Sequence, residues 1–518
     1  MGSRGIAVLA AALLVVTACS GDDDDTTSPK DRAIELAPVH AVRGDRPGIF
    51  DESGRQVVLR GVNLNNLGEY ARNDPDLDPT QHITPQTWRQ MADEGFNVVR
   101  LLVSWSKLQP ERGKIDQEYV DEIRAAVRGA AAQGVYTVID MHQDAWGPYV
   151  ATPDSVTCPA GKEPSNGWDG APEWATPAAG VNSCRGAGGE AKPGSDLVVE
   201  AWNRFYDDTD GIQTELVSSW RQLVEALGDE PSIAGYDILN EPGYGSGANG
   251  ATGLIDPMPA LGDFYAEAIA GIRKGEDAAG VEARPIFFEH AVGGNPPPPD
   301  FSDDPGLVFA PHLYGGSIAG FITVDQGWDV MLSLADGFDT SIWAGEYGWW
   351  DDPAADPETL ARVRRFAERE DGGGDDVPWV PVGSAWWQWN NGCGDPHQIT
   401  SPGAGAPEEI RQYRVTACVD GEAVDKGVVP EWHEVLGRPA VRFAPGWITS
   451  VRSDGKARSL TLQAEDAKVG AQVELWVPGD DRPDVGGNGI GRPKVARSHT
   501  GWLVTAKVSA ATYEVTVT

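Results

Sequence analysis

The sequence predicts an α/β fold: a (β/α)8 TIM barrel with a small C-terminal antiparallel β-sandwich domain. Eight short runs rich in β-branched and aromatic residues recur along the chain. Ala-rich stretches of helical period lie between them and end at glycine, which is the alternation expected of βα units. After about residue 440 the pattern changes to alternating polar and apolar segments between Gly, Pro and Asp turns, which is typical of a sandwich.

The predicted strands begin apolar and finish polar. The fourth, "IAGYDILNEP", ends in an amide and a carboxylate, and the seventh, "SIWAGEYGWW", carries another carboxylate. Because barrel chemistry gathers at the C-terminal ends of the strands, these side chains are expected to meet at one face. The predicted strands are 57–64, 97–105, 135–144, 233–242, 285–290, 307–315, 341–350 and 382–390. The polar strand ends are Asn63, Arg100, His142, Asp144, Asn240, Glu241, His290, His312, Tyr314, Glu346 and 387–390.

Four segments follow from these patterns. They are a lipoprotein-type signal peptide at 1–19, a disordered acidic tether at 20–44, the catalytic barrel at 45–440 and the sandwich at 441–518. The sandwich reads either as a carbohydrate-binding module or as a packing appendage. We favour the appendage, because no row of exposed tryptophans is evident in that segment.

The charge balance excludes some partners. The chain has 41 Lys+Arg against 78 Asp+Glu, a formal net charge of -37. Such a surface repels polyphosphates and is not drawn to anionic bilayers by charge. We therefore expect no nucleic-acid partner, and since nothing in the sequence indicates a nucleotide, flavin or metal, we expect no cofactor. We also expect a monomer.

The N-terminus predicts export. Arg4 precedes a short apolar run and small residues, which is the plan of a signal peptide, and the run is too short for a stable membrane span. "VTAC" resembles a bacterial lipobox, so Cys19 is the predicted lipidation site and the product a cell-surface lipoprotein. The alternative is an ordinary cleavable signal and a secreted protein.

Four cysteines are left once Cys19 is set aside. In an exported chain four cysteines indicate two disulfides, for which three connectivities are possible. We favour Cys158–Cys184 and Cys393–Cys418, because each pair closes one long loop rich in Gly and Pro. A zinc site is the weaker alternative, since no CxxC or HxxxH spacing is present.

Glu241 and Glu346 end strands on roughly opposite sides of the predicted barrel. Two carboxylates that face each other across a substrate are the equipment of glycoside hydrolysis: one protonates the departing oxygen and the other attacks the anomeric carbon. Retention through a covalent intermediate requires a separation of about 5 to 5.5 Å. This chemistry needs no metal.

The motifs "ILNEP" and "AGEYG", with Arg100, His142, "HLY" and "WWQW" in register, resemble glycoside hydrolase family five over about residues 45–440. The motif "DMHQD" and the appended sandwich resemble the endoglycoceramidases of that family, which cleave the bond between a glycan and ceramide. The chain departs from them after strand one, where Leu67 and Gly68 stand in place of an expected lysine. This favours a branch with a different sugar preference, of the galactosylceramide type.

The resemblance implies roles for single residues. Glu346 would be the nucleophile, and Glu241 the acid and then the base. Asn240 would hydrogen-bond the 2-hydroxyl of the sugar. Arg100 and Tyr314 would hold Glu346 ionised, because an adjacent cation or donor favours the charged form.

Other assignments leave alternatives open. His142 and His312 would contact the sugar or orient Glu241. Trp387, or failing it Trp389, would form the floor beneath the reacting sugar. Asp144 would bind a sugar hydroxyl or cap its loop.

The substrate prediction depends on two long loops, 145–200 and 391–429. The first carries Trp146, Tyr149, Trp168 and Trp174, which suit either an apolar wall for a ceramide aglycone or the loop's own core. The sequence therefore predicts a retaining endo-β-glycosidase that acts on glycosphingolipids. The alternatives are a family five enzyme for another β-glycoside or a β-linked polysaccharide, and a non-catalytic sugar-binding lipoprotein.

Overall fold

The computed structural model describes residues 36–177, 180–186, 195–246, 256–372, 379–399, 403 and 405–518. The predicted signal peptide, Cys19 and the tether up to residue 35 lie outside the described residues. Among the helices of the described ranges, none is both long and apolar enough to span a bilayer.

Eight parallel strands form the predicted barrel. Each strand pairs with the next, the eighth pairs with the first, and bridges Phe309↔Ile342 and His312↔Glu346 close the ring between the sixth and seventh. The strands are shorter than predicted, and in the fourth and fifth the polar tip residues lie beyond the end of the strand. Their bounds are Leu59–Leu64, Val98–Ser104, Tyr136–His142, Ile233–Asp237, Ile286–Phe288, Leu307–Phe309, Ala344–Tyr347 and Gly383–Trp386.

Several of the connecting helices begin at a side-chain cap. Asp116 accepts hydrogen bonds from two amides at the start of one helix, and Thr84 and Thr323 form capping boxes with the third residue of two others. The α-helices are Pro85–Asp93, Trp105–Leu108, Gln117–Ala131, Asp196–Tyr206, Ile212–Leu227, Pro259–Ala279, Val324–Gly337, Pro357–Gly372 and Pro430–Leu436. Short 3-10 turns lie at Pro148–Val150, Glu173–Ala175 and Thr209–Gly211.

The C-terminal sandwich is confirmed, but its first sheet begins at the other end of the chain. A seven-stranded sheet has the order Val39–Val42, Gly48–Asp51, Arg55–Val57, Ala440–Pro445, Gln472–Pro478, Gly501–Lys507 and Lys494–Ser498. The facing sheet has the order Trp447–Asp454, Ser459–Glu465, Tyr513–Val517 and Val485–Asn488.

The N-terminal strands correct the predicted segment bounds. Strand Val39–Val42 lies in the predicted tether and buries alternate residues, and Val57 pairs with Phe443 across the predicted domain boundary. The physical reason is that Val39 and Ala41 join one apolar cluster with residues at the strand starts of the barrel, such as Val98. The sandwich thus attaches to the end of the barrel opposite the polar strand tips, where Arg442 donates to the carbonyl of Gly134.

Two long loops on the polar face carry their own structure. The structure contains both predicted disulfides, Cys158–Cys184 and Cys393–Cys418. Short strands Lys162–Glu163 and Arg185–Gly186 pair beside the first. A three-stranded sheet of Glu409–Arg411, Arg414–Val419 and Glu422–Val428 lies beside the second.

Candidate active site

Glu241 and Glu346 face each other at the C-terminal end of the barrel. A carboxylate oxygen of Glu241 lies within 4.8 Å of one of Glu346, and His312 lies between them. Retaining glycosidases hold their carboxyl groups about 5 to 5.5 Å apart, whereas inverting enzymes need about 6.5 to 9.5 Å to admit a water. The spacing of this pair therefore fits direct attack by one carboxylate.

Glu346 is held by three donors. The Arg100 guanidinium donates to Oε1 at 2.8 Å and the Tyr314 hydroxyl donates to Oε2 at 2.8 Å, while Nδ1 of His312 lies 3.1 Å from Oε2. Burial raises the pKa of the Glu346 carboxyl, but His312 and Arg100 lower it more, so the pKa lies below the usual value of a glutamate. Glu346 is therefore ionised at neutral pH, as a nucleophile must be.

Arg100 is the centre of the charge network. It is fully buried, and its guanidinium contacts the carboxylates of Asp140, Asp237, Glu289 and Glu346 at 2.8 to 3.0 Å. Burial lowers the pKa of the guanidinium, but these carboxylates raise it well above its usual value, so the charge is permanent. A buried cation paired in this way is costly to remove.

Asn240 is oriented by the same arginine. Its side-chain oxygen accepts from Arg100 at 3.0 Å, and its amide nitrogen donates to the carbonyl of Gln143 at 3.0 Å. The amide nitrogen has a second hydrogen, which can be offered to a ligand. The orientation of the amide is thus fixed from both ends.

His312 links the two carboxylates. Its Nδ1 lies 2.7 Å from Oε1 of Glu241, and its Nε2 lies 3.0 Å from Oε1 of Glu289. Burial lowers the pKa of the imidazole, but the charges of Glu289 and Glu346 raise it well above the usual value. These carboxylates favour the protonated imidazole, and the contact with Glu241 lets His312 orient that carboxyl, one of its two predicted roles.

Glu289 is a site residue that the sequence reasoning missed. It is buried at the tip of the fifth strand, and its Oε2 accepts the backbone N–H of Glu241 at 3.0 Å. The backbone of Glu241 has φ of 37°, in the left-handed region, which costs about 1 to 3 kcal/mol and is typical of functional sites. The contact with Glu289 helps hold that conformation. The sequence feature that could have revealed Glu289 is the strand end "FFEH", in which the prediction selected the neighbouring His290 instead.

His290 is buried beside the site residues Glu289 and His312. Its Nδ1 contacts the carbonyl of Ala291, and burial lowers the pKa of its imidazole.

Trp387 and Trp389 are separated by the structure. The Trp387 ring stacks on His142 with centroids 5.4 Å apart, and the Trp387–Gln388 peptide is cis. Trp389 is buried, stacks on Tyr413 and lies under the Arg414 guanidinium. The structure thus brings Trp387 to the site and contradicts Trp389 as the sugar floor, because the side chain of Trp389 belongs to the core behind the strand.

His142 and Asp144 line a polar wall beside Trp387. Nδ1 of His142 contacts Asp140 at 2.6 Å, and the charge of Asp140 raises the pKa of His142 well above its usual value against the opposing effect of burial. Oδ2 of Asp144 lies 3.0 Å from Nε2 of His397 and 3.6 Å from Nε2 of His142. The Asp144 carboxylate thus joins a buried cluster rather than only capping its loop.

Asp169 and His397 complete that wall and were not predicted. Both oxygens of the buried Asp169 carboxylate lack a hydrogen-bond partner, and burial raises its pKa to about 7. Nδ1 of His397 contacts Asp395 at 2.6 Å, and despite burial its carboxylate neighbours raise the pKa of His397 to about 10. Both residues come from the long loops, where no strand or helix period could locate them.

The tryptophans of the first long loop divide between core and rim. Trp146 is buried against Trp202, and Trp174 packs edge-on against Trp105 and donates to a backbone carbonyl. Trp168 lies beside His397, with ring centroids 4.4 Å apart. Two of the four candidates for an apolar wall thus pack into the main core of the barrel, against helices outside the loop.

The barrel holds two opposed carboxylates beside a buried arginine. Together these features define a glycoside hydrolase of the retaining kind. The chain belongs to the family described as cellulase (glycosyl hydrolase family 5), whose model matches residues 50–371.

The chain is similar to two curated relatives and to one solved structure. Endoglycoceramidase I of Rhodococcus hoagii (strain 103S) is 28% identical over 295 residues, 54% of this chain and 53% of that protein. The endoglycoceramidase of Hydra vulgaris is 24% identical over 255 residues, 47% of each chain. The chain thus spans about half the length of these relatives. A structure described as endogalactoceramidase is 34% identical, covers 93% of this chain and 100% of that one, and has a TM-score of 0.81.

A complex of endo-glycoceramidase II from Rhodococcus sp. with ganglioside GM3 has a TM-score of 0.62. It is 20% identical and covers 91% of this chain and 99% of that one, which shows a shared fold.

Proposed function

We propose that the chain is a retaining endo-β-glycosidase that hydrolyses the bond between the oligosaccharide and the ceramide of glycosphingolipids. The observation that carries the proposal is the Glu241–Glu346 pair within 4.8 Å, set in a chain that matches an endogalactoceramidase along nearly its whole length. The pair defines the reaction, and the likeness favours the glycolipid as its substrate.

The first half of the reaction forms a covalent intermediate. Ionised Glu346 attacks the anomeric carbon while Glu241 donates its proton to the departing oxygen, so ceramide leaves as an alcohol. Arg100 and Tyr314 hold the attacking carboxylate in place. Asn240 offers its second amide hydrogen to the 2-hydroxyl, a contact that strengthens as the ring flattens.

The second half releases the glycan. Glu241, now a carboxylate, takes a proton from water, and the water oxygen displaces Glu346 from the anomeric carbon. Two inversions give net retention of the β configuration. His312 touches both carboxylates and so stays next to the proton in each half.

The polar wall supports recognition of the sugar next to the cleaved bond. Asp169 presents buried carboxyl oxygens without hydrogen-bond partners beside Asp144 and His142, and His142 stacks on the Trp387 ring. Such acceptors suit the hydroxyls of a pyranose whose apolar face lies on a tryptophan. With Leu67 and Gly68 in place of the expected lysine, this wall favours the galactosylceramide-type branch.

Product analysis tests the proposal. The full chain is incubated in detergent with a panel of glycosphingolipids and β-glucans, and the products are weighed by mass spectrometry, with Glu346→Gln as the inactive control. Intact oligosaccharide together with free ceramide supports the proposal. Shortened glucan with untouched glycolipid overturns it in favour of a polysaccharide hydrolase, and no turnover of any β-glycoside favours a sugar-binding lipoprotein.

We also propose that the chain is an exported bacterial lipoprotein anchored through Cys19. The "VTAC" sequence and the acidic, apolar-poor segment that follows support a lipidated N-terminus on a solvated tether. In bacteria fed radiolabelled palmitate, the wild-type chain should be labelled and a Cys19→Ala chain unlabelled. An unlabelled wild-type chain that is still exported would favour a secreted protein.

A further inference from the structure

Exposed apolar side chains are concentrated at the catalytic end of the barrel. In the described ranges, ten large apolar residues are exposed, and seven of them lie on loops that follow barrel strands three, six and eight. Because loops after parallel strands emerge at one end of a barrel, these side chains lie at the same end of the barrel as Glu241 and Glu346. They are Tyr149, Val156, Val181, Ile318, Phe321, Val419 and Val424.

The loop after strand six, residues 315–323, holds the two most exposed of them. Phe321 is 88% exposed and Ile318 is 71% exposed. Leaving two such side chains in water costs free energy that a folded protein ordinarily avoids, so an exposed pair beside a site indicates a contact surface.

Hydrogen bonds hold this loop as a turn. Its Gly316 N–H donates to the carbonyl of Ile322 at 2.8 Å, and its Gly316 carbonyl accepts from the Trp349 indole at 2.9 Å. The Ser317 hydroxyl donates to the carbonyl of Gly348. The loop therefore presents Ile318 and Phe321 on a backbone tied to the segment that follows strand seven. It lies next in the chain to Tyr314, which donates to Glu346.

The distribution of charge in the chain indicates which kind of partner this loop can bind. Residues 311–324 contain no Asp, Glu, Lys or Arg, although the whole chain has a net charge of -37. A polyanionic protein is repelled by an anionic bilayer, and an uncharged apolar turn gains free energy in the acyl region of any bilayer. A neutral lipid surface is the partner that satisfies both conditions.

We propose that the 315–323 loop docks the catalytic face on a neutral lipid bilayer by inserting Ile318 and Phe321. The inference rests on the proposed function, because a ceramide aglycone is embedded in such a bilayer. Docking at this loop places the active-site mouth against the membrane, where the glycosidic bond lies at the boundary between lipid and water.

Vesicle flotation tests the docking directly. Every variant is made on the chain from residue 20 onward, so that neither the apolar signal run nor an acyl chain on Cys19 can anchor it. We expect the parent chain to float with phosphatidylcholine vesicles and to bind less to vesicles that also contain phosphatidylserine. Ile318→Ser and Phe321→Ser should each weaken binding to phosphatidylcholine by roughly ten- to a hundredfold, the effect of withdrawing one large apolar side chain from lipid.

Val469→Ser is the matched control, because Val469 is 62% exposed but lies in the sandwich at the other end of the barrel. It should bind vesicles like the parent. All three variants should hydrolyse a soluble aryl β-glycoside at the parental rate, which shows that they fold, while the two loop variants lose hydrolysis of glycolipid embedded in vesicles.

The docking proposal is overturned if the parent chain does not float with phosphatidylcholine, or if the loop variants float as well as Val469→Ser. Failure of the proposed function has a different signature: aryl glycoside is hydrolysed but glycolipid is cleaved neither in vesicles nor in detergent. Flotation then still decides the docking independently.

Discussion

Replacing Tyr314 by phenylalanine isolates one of the groups that hold Glu346 ionised. The change removes a single hydroxyl that donates to Oε2 of Glu346 at 2.8 Å and leaves the ring, which stacks on Trp350, in place. Burial and the charge of Glu346 raise the pKa of Tyr314 well above its usual value, so the wild-type hydroxyl stays a donor across the working pH range.

The sign and size of the effect follow from this bond. A donor favours the ionised carboxylate, so its loss raises the pKa of Glu346. A hydrogen bond to a charged group is worth about 1.5 to 3 kcal/mol, and about 1.36 kcal/mol corresponds to one pH unit. Because the pKa of Glu346 is lowered in the folded enzyme, activity is lost as the pH falls through it. In Tyr314→Phe that loss should begin about one to two pH units higher.

The assay is kcat/KM against pH with a soluble aryl β-glycoside. The chain offers a matched control in Tyr413→Phe, because buried Tyr413 donates to Oε2 of Glu94 at 2.7 Å outside the site. Both variants should lose comparable stability to denaturant, but only Tyr314→Phe should move the acid limb. An unmoved acid limb in Tyr314→Phe, or an equal movement in Tyr413→Phe, would refute the reasoning.

Three further predictions concern the tryptophan beneath the sugar, the disulfide of the second long loop, and the dependence of stability on pH. Both tryptophans are buried, so Trp387→Ala and Trp389→Ala should each lose about 3 to 5 kcal/mol of unfolding free energy, but only Trp387→Ala should also lose at least tenfold in the kcat/KM of the folded enzyme; the reverse pattern in activity would restore Trp389 as the floor. Replacing Cys393 and Cys418 by serine should cost about 3 to 4 kcal/mol, given the separation of 25 residues, and an unchanged melting temperature would contradict this. The pKa of His397 is raised to about 10 by Asp395 and its neighbours despite burial, so its stabilisation is complete below about pH 6.5 and is lost as the pH rises toward 10. Unfolding free energy should therefore fall over that window in the wild type and fall less in His397→Gln; equal slopes would refute the assignment.

The barrel and its two carboxylates were predictable because both depend on local pattern. Apolar runs with polar tips recur eight times, and a parallel barrel brings every tip to one face. Glu241 and Glu346 follow from that rule without any knowledge of packing. The separation of the pair does not follow from it, since it depends on barrel radius and side-chain rotamers.

The residues that were missed or misplaced depend on contacts between distant segments. Neighbouring strand residues point to opposite sides, and pattern alone could not show that Glu289 rather than His290 contacts Arg100 and the backbone of Glu241. Trp387 and Trp389 share a side by that period, and only the packing of Tyr413 on Trp389 separates them. Asp169 lies in a long loop without periodicity.

The predicted boundary between the barrel and the sandwich was wrong for a related reason. Val57 pairs with Phe443, and a linear reading cannot anticipate a sheet assembled from both ends of the chain.

Trapping the glycosyl-enzyme tests the central claim most directly. A 2-deoxy-2-fluoro analogue of the oligosaccharide that the chain releases, carrying a good leaving group, is incubated with the full chain, and the intact protein and its peptides are weighed by mass spectrometry. The mechanism predicts one oligosaccharide per chain, attached to the peptide that contains Glu346, and a parallel loss of activity. A chain that turns over the natural glycolipid but forms no adduct, or forms one at another residue, would contradict it.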